Sequence, residues 1–111
     1  LFAHWGDEYA PVPERVKALA RRFVDAGAML VVGSHPHVVQ EHEEYQSAMM
    51  YYSLGNFIFD QYWNEDVRNG LLLKVAFAPG RVVSVEEIPI VLQTDGRTCP
   101  RGFAPEEGAR E

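Results

Sequence analysis

Apolar residues with helical spacing are the clearest pattern in the first part of the chain. They recur three or four residues apart and predict one buried helix face at Val16, Leu19, Ala20, Phe23 and Val24. Pro13 suits the first helical turn, and Gly27 is typical of the residue that follows a helix. The pattern therefore predicts a helix over residues 13–26.

Short apolar runs on either side of this helix predict two buried strands, at residues 1–4 and 28–32. A strand, a helix and a second strand in this order form a βαβ unit, in which the strands are parallel and the crossover is right-handed. The fold class predicted from this pattern is α/β.

Three further strands are predicted at residues 49–54, 71–77 and 82–92. Pro79-Gly80 is typical of a turn, so the last two strands are expected to form an antiparallel hairpin. Because Pro89 lacks a backbone N–H, we expect the last strand to be an edge strand or to be bulged there. The apolar run Phe57, Ile58 and Phe59 is expected to belong to the core.

Composition excludes several classes of protein. The 111 residues are 47% hydrophobic and 23% charged, which is typical of one globular domain. Cys99 has no partner cysteine in the chain, which excludes a disulfide scaffold. No apolar run approaches the roughly 20 residues of a membrane span, and the first residues do not show a signal-peptide pattern.

The net charge of −6 argues against a nucleic-acid partner. The whole excess lies in residues 38–66, which contain six acidic residues and no Lys or Arg. We call this segment the acidic block. Most of its carboxylates are expected to be solvated, and Asp60 is the one to test at a cation site.

Histidines follow both strands of the predicted βαβ unit. His4 ends the first strand, and His35 and His37 lie in the loop after the second. Parallel strands end at the same edge of a sheet, so these loops should meet. Since imidazole is the commonest metal ligand in proteins, the three histidines predict a metal site, with loop capping as the alternative. His42 lies in a charged run and is expected to be solvated.

Other polar and aromatic residues flank the histidines. Asp7 and Glu8 are candidates for catalysis, for contacting a metal or for orienting a histidine, and helix capping is their alternative role. Trp5 and Tyr9 are candidates for a substrate cleft or for packing. Ser34 is a candidate for binding a phosphate oxygen, or a small residue that a tight turn requires.

The segment YYSLGNFIFDQ breaks its apolar run at Gly55 and Asn56. Both residues tolerate a positive φ, so a sharp turn explains them. Alternatively, Asn56 is a polar group of catalytic use that is directed at the same cleft. The residues alone leave both explanations open.

Three motifs, HWGDEY, DAGAMLVVGSHPHVVQ and YSLGNFIFDQ, resemble in order and spacing the carboxy-terminal half of the bacterial poly-γ-glutamate capsule-synthesis (CapA-type) family. That family is similar to the calcineurin-like metallophosphoesterases. The resemblance implies the C-terminal portion of a four-layer α/β sandwich. It covers residues 1–92, whereas residues 93–111 are rich in Gly, Pro and charge and are expected to form a weakly ordered tail.

The resemblance also implies a set of metal ligands. His4 matches an isolated histidine ligand, and His35 and His37 match a histidine pair with one ligand on each of two metal ions. Mn²⁺, Fe or Zn²⁺ suit such a site, where two ions polarise a phosphoryl group and activate water. The remaining ligands of the superfamily lie upstream of the first motif. The chain is therefore expected to be a fragment with half a site, inactive alone, whose partner is the preceding part of the same domain.

For the full-length protein, the resemblance implies metal-dependent phosphoester hydrolysis in capsule synthesis. The alternative is a non-catalytic scaffold of the cell envelope, or a subunit that binds or exports polyglutamate. The resemblance further implies partners in the capsule-synthesis machinery and a location in the bacterial cell envelope or outside the cell. If the chain exists alone, its exposed first strand predicts self-association.

Overall fold

The computed structural model describes residues 1–101. Along the chain the elements are β1 (Phe2–His4), α1 (Glu14–Asp25), β2 (Leu30–Ser34), β3 (His42–Tyr45), β4 (Ala48–Tyr51), α2 (Glu65–Arg68), β5 (Asn69–Ala78), β6 (Arg81–Leu92) and β7 (Thr98–Pro100). They form a four-stranded mixed sheet and a three-stranded antiparallel sheet. The α/β class is thereby confirmed, and the arrangement is consistent with the C-terminal part of a metallophosphoesterase-like domain.

The predicted βαβ unit is confirmed. Strand β1 pairs with β2 in parallel, with His4 opposite Ser34, and α1 connects them. Strand β2 pairs in parallel with β4, so the sheet order is β1-β2-β4-β3. Strand β3 was not predicted, because its charged sequence HEEY lacks the apolar alternation of a strand. It forms the antiparallel edge next to β4.

Helix α1 begins one residue later and ends one residue earlier than predicted, with Pro13 as its N-cap. Val16, Ala20 and Val24, four residues apart, are buried against the sheet. Leu19, which was expected on the same face, is 38% exposed, because the contact with the sheet follows the narrower i, i+4 stripe. The core beneath the helix includes Val31, Met50 and Tyr52.

The hairpin of β5 and β6 is confirmed, with its turn at residues 79–80. No bulge lies at Pro89, but the expected edge is present there, because β7 pairs only with Ile90, Val91 and Leu92 of β6. Strand β6 lies in the centre of its sheet, and the register shift lies between Ala76 and Phe77. The carbonyl oxygen of Pro89 accepts a bond from the N–H of Arg101, which follows β7. The missing N–H of the proline therefore faces Arg101, just beyond the last pair of the β7 ladder.

The two sheets meet at two glycines. Gly55 and Gly70 form a single bridge, and the N–H of Leu71 donates to the carbonyl oxygen of Leu54 at 2.8 Å. A Cβ at position 70 would lie 2.2 Å from the carbonyl oxygen of Asn56, so only glycine fits there. The joint therefore holds Asn56 close to the start of β5.

The assignment of Phe57, Ile58 and Phe59 to the core is wrong. Their side chains are 50%, 76% and 44% exposed. The chain turns at Gly55, where φ is 73°, and buries Asn56 instead. The three apolar residues then follow in irregular backbone outside any strand.

The segment after Gln93 begins with a turn and continues into β7, which pairs with β6 opposite Ile90, Val91 and Leu92. The described start of the expected tail is thus part of the second sheet. Residues 102–111 of that tail lie outside the described residues. None of the described helices is long and apolar enough to cross a membrane.

Candidate metal centre

The loops after β1 and β2 meet at one edge of the mixed sheet. The N–H of Trp5 donates to the carbonyl oxygen of Ser34 at 3.0 Å, and the N–H of Tyr9 donates to that of Pro36 at 2.9 Å. These bonds continue the parallel pairing beyond the strand ends. They hold the segment that carries Glu8 against the loop that carries the histidines.

The loop backbone has an uncommon conformation at three residues that are not glycine. His35 has a φ of 104°, His37 of 64° and Tyr9 of 58°. A residue with a Cβ in this region is strained, by on the order of 1 kcal/mol or more, and such residues concentrate at functional sites. The ring centroids of His35 and His37 lie 5.8 Å apart.

Glu8, His35 and His37 bring their ligating atoms together. One carboxylate oxygen and one nitrogen of each imidazole all lie within 4.8 Å of one another. The histidines are half-buried and Glu8 is exposed. Two imidazoles and a carboxylate are a donor set that Zn²⁺, Mn²⁺ and Fe²⁺ accept, so these residues fit a transition-metal ion. We call them the donor cluster.

His4 lies beside the donor cluster. It is exposed at the end of β1, and its ring centroid is 4.5 Å from that of His35. The structure thus brings the three sequence-predicted histidines to one place, while Glu8 is the acidic residue that faces the histidine pair.

Asn56 is buried and contacts the donor cluster directly. Its Oδ1 lies 2.9 Å from Nδ1 of His37. Its Nδ2 donates to Oε1 of Gln61 and to the carbonyl oxygen of Val67, both at 3.0 Å. Gln61 in turn donates from Nε2 to the hydroxyl of Tyr9 at 2.9 Å. The two explanations that the sequence left open are therefore not exclusive. Asn56 follows the turn at Gly55, and its side chain is also directed at the histidines.

Two aromatic rings lie near the ring of His37. Its ring centroid lies 5.9 Å from that of Tyr9 and 5.2 Å from that of Phe59. Trp63 contacts Tyr9 edge to face at 5.0 Å. Tyr9 thus lies beside the donor cluster and packs against neighbouring rings.

Four other candidates are not among the residues of the donor cluster. Asp7 forms an exposed ion pair with Arg15 at 2.9 Å, at the start of α1. Trp5 packs on the core under α1, in agreement with its packing alternative. Ser34 is exposed, and its hydroxyl lies 3.5 Å from the carbonyl oxygen of Ala3. Asp60 is also exposed and is not one of the residues of the donor cluster.

Two carboxylates of the acidic block pair with helix α1. Glu41 contacts Lys17 at 2.8 Å, and Glu43 contacts Arg21 at 3.2 Å. The hydroxyl of the buried Tyr52 donates to Glu43, and this bond lowers the pKa of the Glu43 carboxyl, with Arg21 acting in the same direction. Part of the block is therefore neutralised on the helix side of the sheet, and its acidity does not all act on the donor cluster.

His42 is half-exposed on the edge strand β3. Its ring stacks on Tyr51 at a centroid distance of 4.8 Å, and its Nδ1 lies 3.8 Å from Glu87. His42 is thus partly exposed to solvent, as expected, and it also contacts the second sheet. It takes no part in the donor cluster.

The roles of Gln61 and Val67 were not predicted from the sequence. Gln61 reaches Tyr9 across 52 positions of the chain, and Val67 contributes only a backbone carbonyl. The order of polar residues does not predict either contact directly. The signal that does exist is indirect, namely a polar pair, Asp60-Gln61, that follows an apolar run.

A family model described as "Bacterial capsule synthesis protein PGA_cap" matches residues 1–61. This range includes the donor cluster, His4, Asn56 and Gln61. The match thus covers the two loops and the turn that form the site.

Two curated relatives carry related descriptions. "Capsule biosynthesis protein CapA" of Bacillus anthracis is 40% identical over 91 residues, which are 81% of this chain and 22% of the relative. "PGA biosynthesis protein CapA" of Bacillus subtilis (strain 168) is 52% identical over 62 residues, which are 55% of this chain and 16% of that relative. The matched part of the chain thus spans about a fifth of the length of these relatives.

Proposed function

The chain belongs to the PGA_cap family of bacterial capsule synthesis proteins, and from this premise we propose that it is part of a metal-dependent phosphoester hydrolase that acts in poly-γ-glutamate capsule synthesis. The observation that carries the proposal is the donor cluster. Glu8, His35 and His37 place three metal-ligating atoms within 4.8 Å of one another at the strand ends.

The donor cluster would hold a divalent transition-metal ion. His35 and His37 would supply nitrogen donors, and the Glu8 carboxylate would supply an oxygen donor whose charge offsets that of the ion. Such an ion polarises a phosphoryl oxygen and lowers the pKa of a bound water. His4, whose ring lies 4.5 Å from that of His35, would serve the second ion that the family resemblance implies.

Charge favours hydrolysis over polymer binding as the role of this part of the protein. The chain has a net charge of −6, so a polyanion such as polyglutamate would be repelled by its surface. A small phosphoester would reach the same edge by contact with the bound cation. The names of the relatives support a place in the cell envelope and partners in the capsule-synthesis machinery.

The proposal is tested with the full-length protein purified without chelator. We expect about two transition-metal ions per molecule and hydrolysis of bis(4-nitrophenyl) phosphate or 4-nitrophenyl phosphate. His37→Ala should abolish turnover and reduce the bound metal. His42→Ala is the matched control, because this histidine lies outside the donor cluster, and it should change neither property.

A metal-free full-length protein without turnover would contradict the proposal and leave the non-catalytic envelope scaffold. The 111-residue chain alone should bind Zn²⁺ or Mn²⁺ weakly and show no turnover, because the further ligands implied by the resemblance are not among its residues. Turnover by this chain alone would overturn the view that it carries half of the site.

A further inference from the structure

We infer that Asn56 is a positioning residue that holds His37 in one tautomer, with the proton on Nδ1 and the Nε2 lone pair free for a metal ion. The use of Nε2 as a metal ligand rests on the proposed function. The tautomer does not, since it follows from hydrogen bonds within this chain.

The first step concerns the orientation of the Asn56 amide. One of its atoms faces the backbone carbonyl oxygen of Val67 at 3.0 Å. A carbonyl oxygen can only accept a hydrogen bond, so the atom that faces it has to be the NH₂ group. The same NH₂ group donates its second proton to Oε1 of Gln61. Val67 thereby determines which end of the amide points away from it.

The second step derives the position of the His37 proton from the orientation of the Asn56 amide. With the NH₂ group directed at Val67, Oδ1 of Asn56 faces Nδ1 of His37 at 2.9 Å. An amide oxygen can only accept, so His37 has to donate from Nδ1. A neutral imidazole carries one proton, and its Nε2 is then an unprotonated acceptor or metal ligand. Outer partners of this kind fix the tautomer and the ring orientation of metal-ligating histidines.

The third step is the rigidity of the arrangement. Asn56 is 6% exposed, so water competes little for its polar atoms. Its backbone is held by the close approach of Gly70, where no Cβ fits. Gln61, the second acceptor, is itself held by Tyr9. The chain Tyr9–Gln61–Asn56–His37 thus ties both loops of the site to one imidazole.

The tautomer can be measured without metal. In the zinc-free chain at mildly alkaline pH, long-range ¹H–¹⁵N correlation spectra should show His37 with a protonated Nδ1 and an unprotonated Nε2. Asn56→Leu should lose this preference and weaken Zn²⁺ binding by about 10- to 100-fold. A wild-type His37 that is protonated on Nε2 would overturn the inference whatever the variants do.

Two further variants separate positioning from folding. Asn56→Asp loses the donors to Gln61 and Val67 but keeps an acceptor, so it should destabilise the fold and yet retain the proton on Nδ1. Asn64→Ala is the control, since Asn64 accepts from the N–H of the same Val67 at 3.1 Å and is not a partner of His37. It should leave the tautomer unchanged and Zn²⁺ affinity within about twofold. A tautomer shift in Asn64→Ala as large as in Asn56→Leu would contradict a specific role of Asn56.

The outcomes distinguish this inference from the proposed function. If the tautomer is as inferred but the wild-type protein neither binds Zn²⁺ nor hydrolyses a phosphoester, the proposed function fails and the positioning role of Asn56 stands. If Zn²⁺ binds equally well to wild type and Asn56→Leu, the role of Asn56 in positioning His37 for a metal ion fails and the metal centre stands.

Discussion

The indole N–H of Trp5 donates to the carbonyl oxygen of Tyr52 at 2.9 Å, directly over Gly33. A Cβ at position 33 would lie 2.1 Å from that oxygen and 2.2 Å from the indole nitrogen. This bond ties the segment after β1 to the end of β4 across the strand between them. The Glu8 side of the donor cluster is therefore anchored by a contact for which only glycine leaves room.

Gly33→Ala should consequently displace the Trp5 indole. We expect a loss of about 1–3 kcal/mol in the free energy of unfolding, as for overpacked cores, together with a change in tryptophan fluorescence. Urea denaturation followed by fluorescence measures both. Gly80→Ala is the control, because Gly80 has a φ of 74° but a Cβ added there would meet no atom within 4 Å. It should lower stability through backbone strain alone and leave the native fluorescence unchanged.

Glu8 and Asp7 are neighbouring acids with different surroundings. Glu8 belongs to the donor cluster, whereas Asp7 pairs with Arg15 on the surface. Glu8→Gln should weaken Zn²⁺ binding by at least about tenfold, since loss of a ligand should lower the affinity at least as much as loss of a residue that only hydrogen-bonds to a ligand. Asp7→Asn should leave it within about twofold. Calorimetric titration of Zn²⁺ into both variants measures the difference, and equal affinities would remove Glu8 from the set of ligands.

The contact between Tyr52 and Glu43 predicts a pH dependence of stability. The pKa of Glu43 is lowered below its ordinary value of 4.5, chiefly by the hydrogen bond from Tyr52, so its contribution is present above that value and is lost as pH falls. The pKa of Tyr52 is raised above its ordinary value of 10.0, chiefly by burial. Its contribution is present below that value and is lost as the solution becomes more alkaline.

Tyr52→Phe should therefore flatten both the acid and the alkaline limb of the stability curve. Unfolding free energies measured by urea at a series of pH values test this. Glu43→Gln should flatten the acid limb, whereas Glu44→Gln, its exposed neighbour on β3, should not. An unchanged acid limb in Tyr52→Phe would show that the hydrogen bond does not set the Glu43 pKa.

The joint between the sheets predicts a link from stability to the metal centre. A Cβ at Gly70 would meet the carbonyl oxygen of Asn56 at 2.2 Å, so Gly70→Ala should shift the Asn56 backbone. We expect a loss of about 1–3 kcal/mol in unfolding free energy and weaker Zn²⁺ binding. Gly96→Ala, at a turn where an added Cβ would meet no atom within 4 Å, should leave Zn²⁺ binding unchanged. If the two variants bind Zn²⁺ equally, Asn56 is not coupled to the joint.

Local patterns were sufficient to predict the parts of the fold that depend on local spacing. The helix from Glu14 to Asp25, the parallel pair β1 and β2, and the β5–β6 hairpin each have a periodicity or a turn signal of their own. The meeting of His4 with His35 follows from the parallel topology, which places both at the same edge of the sheet.

The remainder depends on contacts between distant residues. The sequence of strand β3 is typical of a solvated charged segment. Its role in the fold depends on the contact of Glu43 with Arg21 of the helix, 22 positions away. The exposure of Ile58 and the burial of Asn56 are decided by a turn at Gly55 and by the approach of Gly70. Gln61 gains its role only when Tyr9 and Asn56 come to lie on either side of it. No local periodicity encodes such contacts.

The positive φ angles of His35 and His37, 104° and 64°, bear on protein engineering and evolution. Both backbone positions would accept glycine with less strain than histidine. A screen for thermostability alone would therefore favour glycine there and would erase the donor cluster in doing so. The two imidazoles are therefore kept at a cost in backbone strain, because the donor cluster needs their nitrogen atoms. Stabilising designs for this protein should leave both positions unchanged.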